Sequence, residues 1–296
     1  MLSSRMSAPP STPAAPALTV RVAIAPLDLR LSLAFQNVGT HDPTCLVNES
    51  YLRKSFHAPS GPCTVELRRC EGGLEATVLG ADAAVIAAEL SRGLSQDDGY
   101  ARFAALAPPA LRTLHRRSPG LRILRFPWLY DHLCAAVLQQ RVRWQDAARQ
   151  FRVLALRHGG QTAEGTPLFP SAETLARLPG WELESIGIDP KRTRALLTLA
   201  REWRTHPLKA SMEPAELRKR LLRLRGIGPW TVETALGFGA GDPDALPLAD
   251  LYLPHLVCRV LAGEERGTDA RMVELLEPLR GHRFRAILLL HTAASK

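Results

Sequence analysis

The sequence is poor in aromatic residues and cysteines and has no long apolar run. Only 6% of its 296 residues are aromatic, so a ring-lined binding surface must be built from few side chains. The cysteines form no CxxC pair, which is unlike zinc or iron–sulfur sites and favours reduced thiols in a cytosolic protein. They lie at five scattered positions: Cys45, Cys63, Cys70, Cys134 and Cys258. No stretch approaches the ~20 apolar residues of a transmembrane helix, so we expect a soluble chain with no membrane span.

The chain has instead a clear excess of positive charge. It carries 38 Lys and Arg residues against 29 Asp and Glu, a formal net charge of +9 at pH 7. Arg predominates over Lys, and the planar guanidinium group donates to phosphate with two parallel hydrogen bonds. Nucleic acid is therefore the first partner to test, and a membrane surface the second.

The first part of the chain has the patterns of a small mixed domain. Residues 1–17 are rich in Ser, Ala and Pro and are typical of a disordered tail rather than an export signal. Alternation around Val22 predicts a strand, and residues 63–80 predict a hairpin turning at Glu71-Gly72-Gly73. An Ala-rich helix is predicted to follow, with Asp82 as its N-cap.

Two further boundaries complete the predicted organisation. We assign residues 18–110 to an N-terminal α+β domain with an antiparallel sheet, and residues 111–296 to an all-helical domain, because apolar residues there recur at helical spacing. The intervening segment 98–120 contains three prolines and several arginines, which indicates a basic connector.

The most informative stretch is LLRLRGIGPWTVETALGF, residues 221–238. Two helices are predicted on either side of Gly226-Ile227-Gly228, with Pro229 at the start of the second. Glycines allow bare backbone to approach a ligand, and the free amides at a helix start attract a phosphate. Charge beside this hairpin comes from five residues: Arg218, Lys219, Arg220, Arg223 and Arg225. The alternative is an ordinary corner between two helices, with glycines chosen only for tight turning.

Four segments, in the right order, resemble the helix-hairpin-helix DNA glycosylases, and in particular the alkylation-repair branch of 3-methyladenine DNA glycosylase II. The resemblance covers about residues 121–293. It implies two helical subdomains with an active-site cleft between them, preceded by the mixed domain. It also favours a helix over 25–36, where alternation alone predicts a strand. The segments are FPWLYDHLCAAVLQQRV (126–142), residues 168–200, the LRGIGPWT hairpin, and ALPLADLYL (245–253).

The resemblance implies that Asp250 is the catalytic carboxylate. It follows the Leu246-Pro247-Leu248 run and precedes a predicted helix, whereas Asp242 and Asp244 come before that run and match less well. A fixed carboxylate can stabilise the oxocarbenium-like charge on a sugar and activate water. The alternative is that Asp250 is only a helix N-cap, worth about 1 kcal/mol; the two roles are compatible.

Trp230 occupies the position where bifunctional members of the family carry a nucleophilic Lys. With no amine there, the resemblance implies a monofunctional enzyme that leaves an abasic site. The indole ring could stack on a flipped, cationic base, or it could be a helix-core residue.

The remaining site residues are carried over from the family's motifs. Gln140 and Arg141 match the loop that fills the gap left by a flipped base, with Arg141 as the wedge; its alternative is a surface contact to phosphate. Residues around the hairpin are expected to bind DNA: Gly226, Ile227, Gly228, Thr231 and Arg225. The substrate pocket is expected to include Trp230, Thr234, Leu251, Tyr252 and Phe126. Family rings are missing at Thr234, Leu251 and Ala293, which leaves the preferred lesion open.

We therefore expect a monomeric, cytoplasmic glycosylase that removes alkylated bases from double-stranded DNA and needs no organic cofactor or iron–sulfur cluster. Backbone carbonyls near Leu224 and Ile227 could hold a monovalent cation, as the resemblance implies. The alternatives are a glycosylase of the same fold for oxidised or ethenated bases, and a noncatalytic DNA-binding module.

Overall fold

The N-terminal part of the chain folds around one antiparallel sheet. A computed structural model describes residues 17–294, in which five strands pair in the order β1-β5-β4-β3-β2. The predicted tail lies outside these residues except for Ala17, which begins the first strand. The strands are β1 (Ala17–Ala23), β2 (Cys45–Val47), β3 (Tyr51–Ala58), β4 (Gly61–Cys70) and β5 (Gly73–Gly80).

Helices make up most of the rest, which confirms the predicted α+β class. The first four are α1 (Leu29–Leu33), α2 (Ala83–Leu94), α3 (Tyr100–Leu106) and α4 (Pro109–Arg117). The remaining helices are α5 (Leu129–Leu138), α6 (Trp144–His158), α7 (Ala172–Arg177), α8 (Gly180–Ser185), α9 (Pro190–Thr205), α10 (Pro214–Leu221), α11 (Pro229–Ala235), α12 (Leu253–Ala262), α13 (Asp269–Leu276) and α14 (Arg283–Ala294). Between residues 17 and 294, no helix is both long and apolar enough to cross a membrane.

Local chemistry explains where the early elements begin, and it corrects two predictions. Helix α1 forms because the Asp28 carboxylate accepts the Leu31 N–H, a side-chain N-cap that outweighs the strand-like alternation. Asp82 stands at the N-cap position of α2, but its carboxylate accepts from the N–H and hydroxyl of Ser60, so it fixes a hairpin turn instead. The predicted connector 98–120 is also wrong, since it forms α3 and α4.

The core consists of two hydrophobic clusters that do not divide at residue 110. The sheet packs on α1 and α2, and this cluster recruits Leu124, Phe126 and Trp128 from beyond that position. The helical cluster in turn includes Phe103 and Ala107 from before it. Each part of the chain thus contributes to the other's core, which holds the sheet and the helices together.

A buried ion pair reinforces this junction. Arg285 of α14 is fully buried and donates to Asp98, which lies just before α3. Asp98 also accepts from Arg122 and from the Ile123 N–H. Burial alone would raise the pKa of Asp98, but the charge of Arg285 and the hydrogen bonds of Arg122 and Ile123 outweigh it, so the pKa lies below its ordinary value.

A second buried pair joins the sheet to the helices. Lys54 of β3 is 1% exposed, and its ammonium group lies 2.9 Å from the Asp131 carboxylate of α5 and donates to the Thr44 hydroxyl. Because a buried charge without a partner is costly, each pair fixes the relative position of the elements that carry it.

We predict that Asp98→Asn destabilises the protein by about 3–5 kcal/mol at neutral pH, because it leaves Arg285 buried without a carboxylate. Since the folded pKa of Asp98 is depressed, its stabilising contribution is present above the unfolded pKa of about 3.9 and is lost as the pH falls through the folded value. Urea unfolding measured from pH 7 to pH 3 should therefore show that the difference in free energy of unfolding between wild type and variant becomes smaller as the pH falls.

The control for this prediction is Asp97→Asn, which removes an exposed carboxylate at the adjacent position. Its effect should be much smaller at pH 7, because solvent screens the Asp97–Arg102 pair. Equal losses in the two variants would contradict a special role for the buried pair.

Candidate active site

The turn between α10 and α11 is a hairpin whose two glycines have different functions. Gly226 has a φ of +90°, and a Cβ there would lie 2.8 Å from the Ala195 Cβ of α9. Both backbone and packing therefore require glycine. Gly228 is extended, with no atom within 4 Å of an added Cβ, so it presents open backbone. Ile227 between them is buried and anchors the turn in the helical core.

The start of α11 offers backbone donors beside this open glycine. Within this helix start, the Val232 N–H bonds the Gly228 carbonyl. The preceding amides of Trp230 and Thr231 lie in the first turn, where no intrahelical acceptor is available. Such amides, at the positive end of the helix dipole, suit a phosphate oxygen.

The arginines around the hairpin are not equivalent, which corrects one prediction. Arg218 of α10 donates to the Glu233 and Asp242 carboxylates, so its charge is already neutralised inside the protein. Arg225, by contrast, is exposed and forms no ion pair with any carboxylate in the described part of the chain. Arg225 is thus the better placed to meet an external anion.

The predicted wedge loop is attached directly to the hairpin. The Gln140 side-chain amide donates to the Gly226 carbonyl at 3.0 Å and to the Thr231 hydroxyl at 2.8 Å. Thr231 is 2% exposed, so its side chain supports the hairpin from inside rather than facing solvent. Arg141 follows with a φ of +56° and is exposed. A non-glycine residue in this backbone region is strained, a feature that concentrates at functional sites.

Asp250 is held by three hydrogen bonds. Its Oδ1 accepts the N–H groups of Tyr252 and Leu253, each at 2.8 Å, and its Oδ2 accepts the indole N–H of Trp230 at 2.8 Å. Ala249 before it has a φ of +62°, and its N–H donates to Asp269. The carboxylate therefore holds the two amides that lead into α12, whose N-cap residue is Tyr252, and is also fixed against the hairpin helix.

Two interactions of Asp250 could not be predicted from the sequence. The Trp230 indole, predicted to stack on a base or to lie in the core, is half-buried and has its N–H committed to Asp250. His291 of α14, interpreted from sequence as ordinary, is exposed and lies close enough to Asp250 for the negative charge of that carboxylate to act on its imidazole. No local pattern signals either relation, because the partners are 20 or more positions apart in the chain.

The predicted pocket residues do not come together as one wall. Leu251 and Tyr252 follow Asp250 and are 72% and 75% exposed, while Thr234 is buried in α11. Phe126 is a wrong assignment, because it is 1% exposed and stacks on Trp128 at 4.7 Å inside the core of the sheet domain. It is needed for packing and cannot line an open cleft.

The other two acids of this loop are engaged elsewhere. Asp242 accepts from Arg218, and Asp244 accepts from Arg283 and from the Gly281 N–H. Both carboxylates therefore stabilise the fold through these contacts. Of the three acids of this loop, Asp250 is the one that accepts a hydrogen bond from Trp230 of the hairpin helix.

Comparisons with known proteins agree with this geometry. No protein-family model matches the chain. A DNA-3-methyladenine glycosylase of Bacillus subtilis is 29% identical over 187 residues, covering 59% of this chain and 60% of that protein. A probable bifunctional transcriptional activator/DNA repair enzyme AlkA of Mycobacterium tuberculosis is 33% identical over 151 residues, covering 50% of this chain and 30% of that protein. This chain thus spans less than two thirds of either relative.

The fold has a similarly clear counterpart. A solved structure of a 3-methyladenine DNA glycosylase from Archaeoglobus fulgidus superposes with a TM-score of 0.77 at 18% identity, covering 94% of this chain and 98% of that one. The chain therefore shares the fold of this DNA glycosylase over nearly its whole length. The two curated relatives are both named for DNA repair, and one of them for 3-methyladenine excision.

We predict that Trp230→Phe slows base release about 10- to 100-fold, because it keeps a ring but removes one hydrogen bond to a charged carboxylate, worth about 1.5–3 kcal/mol. The measurement is single-turnover release of methylated bases. Trp203→Phe, at a half-buried tryptophan that packs on Tyr130, is the control and should leave the rate unchanged. If Trp230 acted only by stacking, Trp230→Phe would keep most activity and Trp230→Leu would lose it.

We further predict that Gly228→Asp weakens binding to DNA while leaving the fold intact. The position has room for a side chain, and an Asp at the N-cap of α11 suits the helix, but its charge repels a phosphate. Affinity for undamaged duplex and thermal unfolding should be measured together. Gly226→Ala is the contrasting variant, since it should destabilise the fold through its contact with Ala195. If the Gly228→Asp variant bound DNA as tightly as wild type, the assignment of the hairpin as the phosphate-binding element would be contradicted.

Proposed function

We propose that the protein is a monofunctional DNA glycosylase that excises alkylated bases from double-stranded DNA. The observation that carries this proposal is the fixed carboxylate of Asp250, held by Trp230 at the start of the hairpin helix. The site thereby joins a charged acceptor to a phosphate-binding turn within one rigid unit.

The chemistry needs an acceptor and not a proton donor. The bond between C1′ and the base nitrogen breaks, and its electron pair leaves with the base. A base alkylated on a ring nitrogen is already cationic, so it departs neutral without a general acid. The developing positive charge on the sugar is stabilised by Asp250, and a water then forms the new C1′–O bond and gives its proton to that carboxylate.

Access to the base requires that it leave the duplex. In this proposal the amides before Val232 and the exposed Arg225 bind a phosphate, while Arg141 enters the space vacated by the flipped base. The Gln140 bonds to the hairpin support this arrangement, since they keep the wedge at a constant distance from the bound strand. No amine stands at the Trp230 position, so Schiff-base chemistry and strand nicking are not part of the proposal.

The preference for alkylated bases rests on charge and on the names of the relatives. Asp250 is an anion with an electron-rich indole next to it, and both favour a cationic base over a neutral one. The oxidised-base alternative is the weaker one, because members of that class usually need the Lys that Trp230 replaces.

The proposal includes a monomer without an organic cofactor, and a monovalent cation at the hairpin. The Leu224 carbonyl accepts the Ile227 N–H at 3.0 Å, which uses one of its two lone pairs and leaves the other for a cation. The Leu224 and Ile227 carbonyls would together hold the cation, whose positive charge would attract a phosphate of the bound strand.

We predict that Asp250→Asn lowers the rate of base release about 100- to 1,000-fold and leaves DNA affinity unchanged. The asparagine oxygen can still accept the Tyr252 and Leu253 amides, but its NH2 group then faces the Trp230 N–H, so the hydrogen bond to Trp230 is lost together with the charge. The assay incubates methylated duplex with enzyme, then heats it in alkali to cleave abasic sites. Strand nicking without alkali, or full activity in the variant, would contradict the proposed mechanism.

A further inference from the structure

A groove lies between α9 and the segment that leads from α10 into the hairpin. The groove has a volume of about 500 Å³, and Asp250 is not among the residues that line it. Its floor and rims are formed by six residues: Thr198, Arg201, Glu202, Arg204, Thr205 and Leu224. Only Leu224 is shared with the site described above, where its carbonyl is proposed to hold a cation.

Helix α9, which forms one side of the groove, begins where the wedge loop meets the hairpin. At the first turn of α9, the Arg192 guanidinium donates to the Leu138 carbonyl, at the end of the helix that leads into Gln140. One turn later, Ala195 lies directly beneath Gly226. Helix α9 therefore starts at the corner formed by these two elements and runs outward from it.

The exposed face of α9 is basic along this course. Positions spaced three and four residues apart share one face of a helix. On α9 these are Lys191, Arg194, Thr198, Arg201 and Thr205, which span about 21 Å at ~1.5 Å per residue. That length corresponds to about six base-pair steps along the duplex axis at ~3.4 Å each.

This charge is not compensated within the protein. Across residues 17–294, neither Lys191, Arg194 nor Arg201 forms an ion pair with a carboxylate, and the same holds for Arg223 and Arg225 on the opposite side. The one carboxylate that lines the groove is that of Glu202, which lies 3.5 Å from His206. Like charges on one face repel each other, so a polyanion lying along them is favoured.

We propose that the exposed face of α9 is a second DNA-binding surface, continuous with the hairpin, which holds the phosphate backbone beyond the lesion. The inference rests on the proposed function, because that function supplies the duplex. A membrane fits less well, since the basic residues follow a straight helix from the hairpin and no apolar face accompanies them. The surface would lengthen the footprint of the protein without reading sequence.

The test compares two charge-matched double variants on undamaged duplex DNA. Arg194→Gln/Arg201→Gln, the groove variant, removes two charges from the exposed face of α9, and Arg152→Gln/Arg157→Gln removes two from exposed positions of α6 that form no ion pair within residues 17–294. Each phosphate contact contributes about −0.9 to the slope of log Kobs against log salt concentration. The slope should become shallower by about 2 in the first variant and remain at the wild-type value in the second.

Duplex length gives a second readout. Wild type should bind a duplex of about 24 bp more tightly than one of about 12 bp, because only the longer duplex reaches both the hairpin and α9. The Arg194→Gln/Arg201→Gln variant should reduce that difference in affinity. Equal slopes in the two double variants, or an unchanged dependence on length, would overturn the inference. Weaker binding to duplex RNA with unchanged binding to DNA would also overturn it.

Base release from methylated duplex at low salt separates this inference from the proposed function. If wild type releases no base but the groove variant has the shallower slope, the proposed function fails and the DNA-binding surface stands. If wild type and groove variant release base equally fast at saturating enzyme and the slopes are equal, the function stands and the surface fails.

Discussion

The hydrogen bond from the Trp230 indole to the Asp250 carboxylate connects the two halves of the site. Trp230 is the second residue of the hairpin helix, and Asp250 lies just before α12, so one bond fixes the acid relative to the turn that is proposed to bind phosphate. A carboxylate that must stabilise charge on a sugar is effective only if it is already oriented when that charge develops. The strained backbone of Ala249 and the two capping amides serve the same end.

Rigidity of this unit depends on interactions far from it. The hairpin lies on α9 through Gly226 and is joined to the wedge loop through Gln140. The α14 helix that carries His291 is held by the buried Arg285–Asp98 pair. Since each contact joins elements distant in sequence, the site is a product of the whole helical core rather than of one motif.

The sequence was sufficient for features that are local. Gly226, Gly228 and Pro229 predict the hairpin because turn and helix-start chemistry involve neighbouring residues. The family resemblance singled out Asp250 after an apolar–Pro–apolar run, and its catalytic role stays a prediction. The sequence could not predict that Arg218 is neutralised by Glu233 and Asp242, or that Phe126 stacks on Trp128 in the other cluster. Those outcomes depend on which helices become neighbours, and composition and periodicity do not encode that.

The scarcity of aromatic rings has a physical consequence for selectivity. Near Asp250 the indole edge of Trp230 is occupied by a hydrogen bond, and the adjacent Leu251 and Tyr252 project into solvent instead of forming a stacked wall. A site with few stacking surfaces discriminates poorly by shape, because stacking is worth about 1–3 kcal/mol per base. Discrimination in the proposed reaction must then come from charge: a cationic base is attracted by the carboxylate and leaves without a proton donor, whereas an undamaged base has neither advantage.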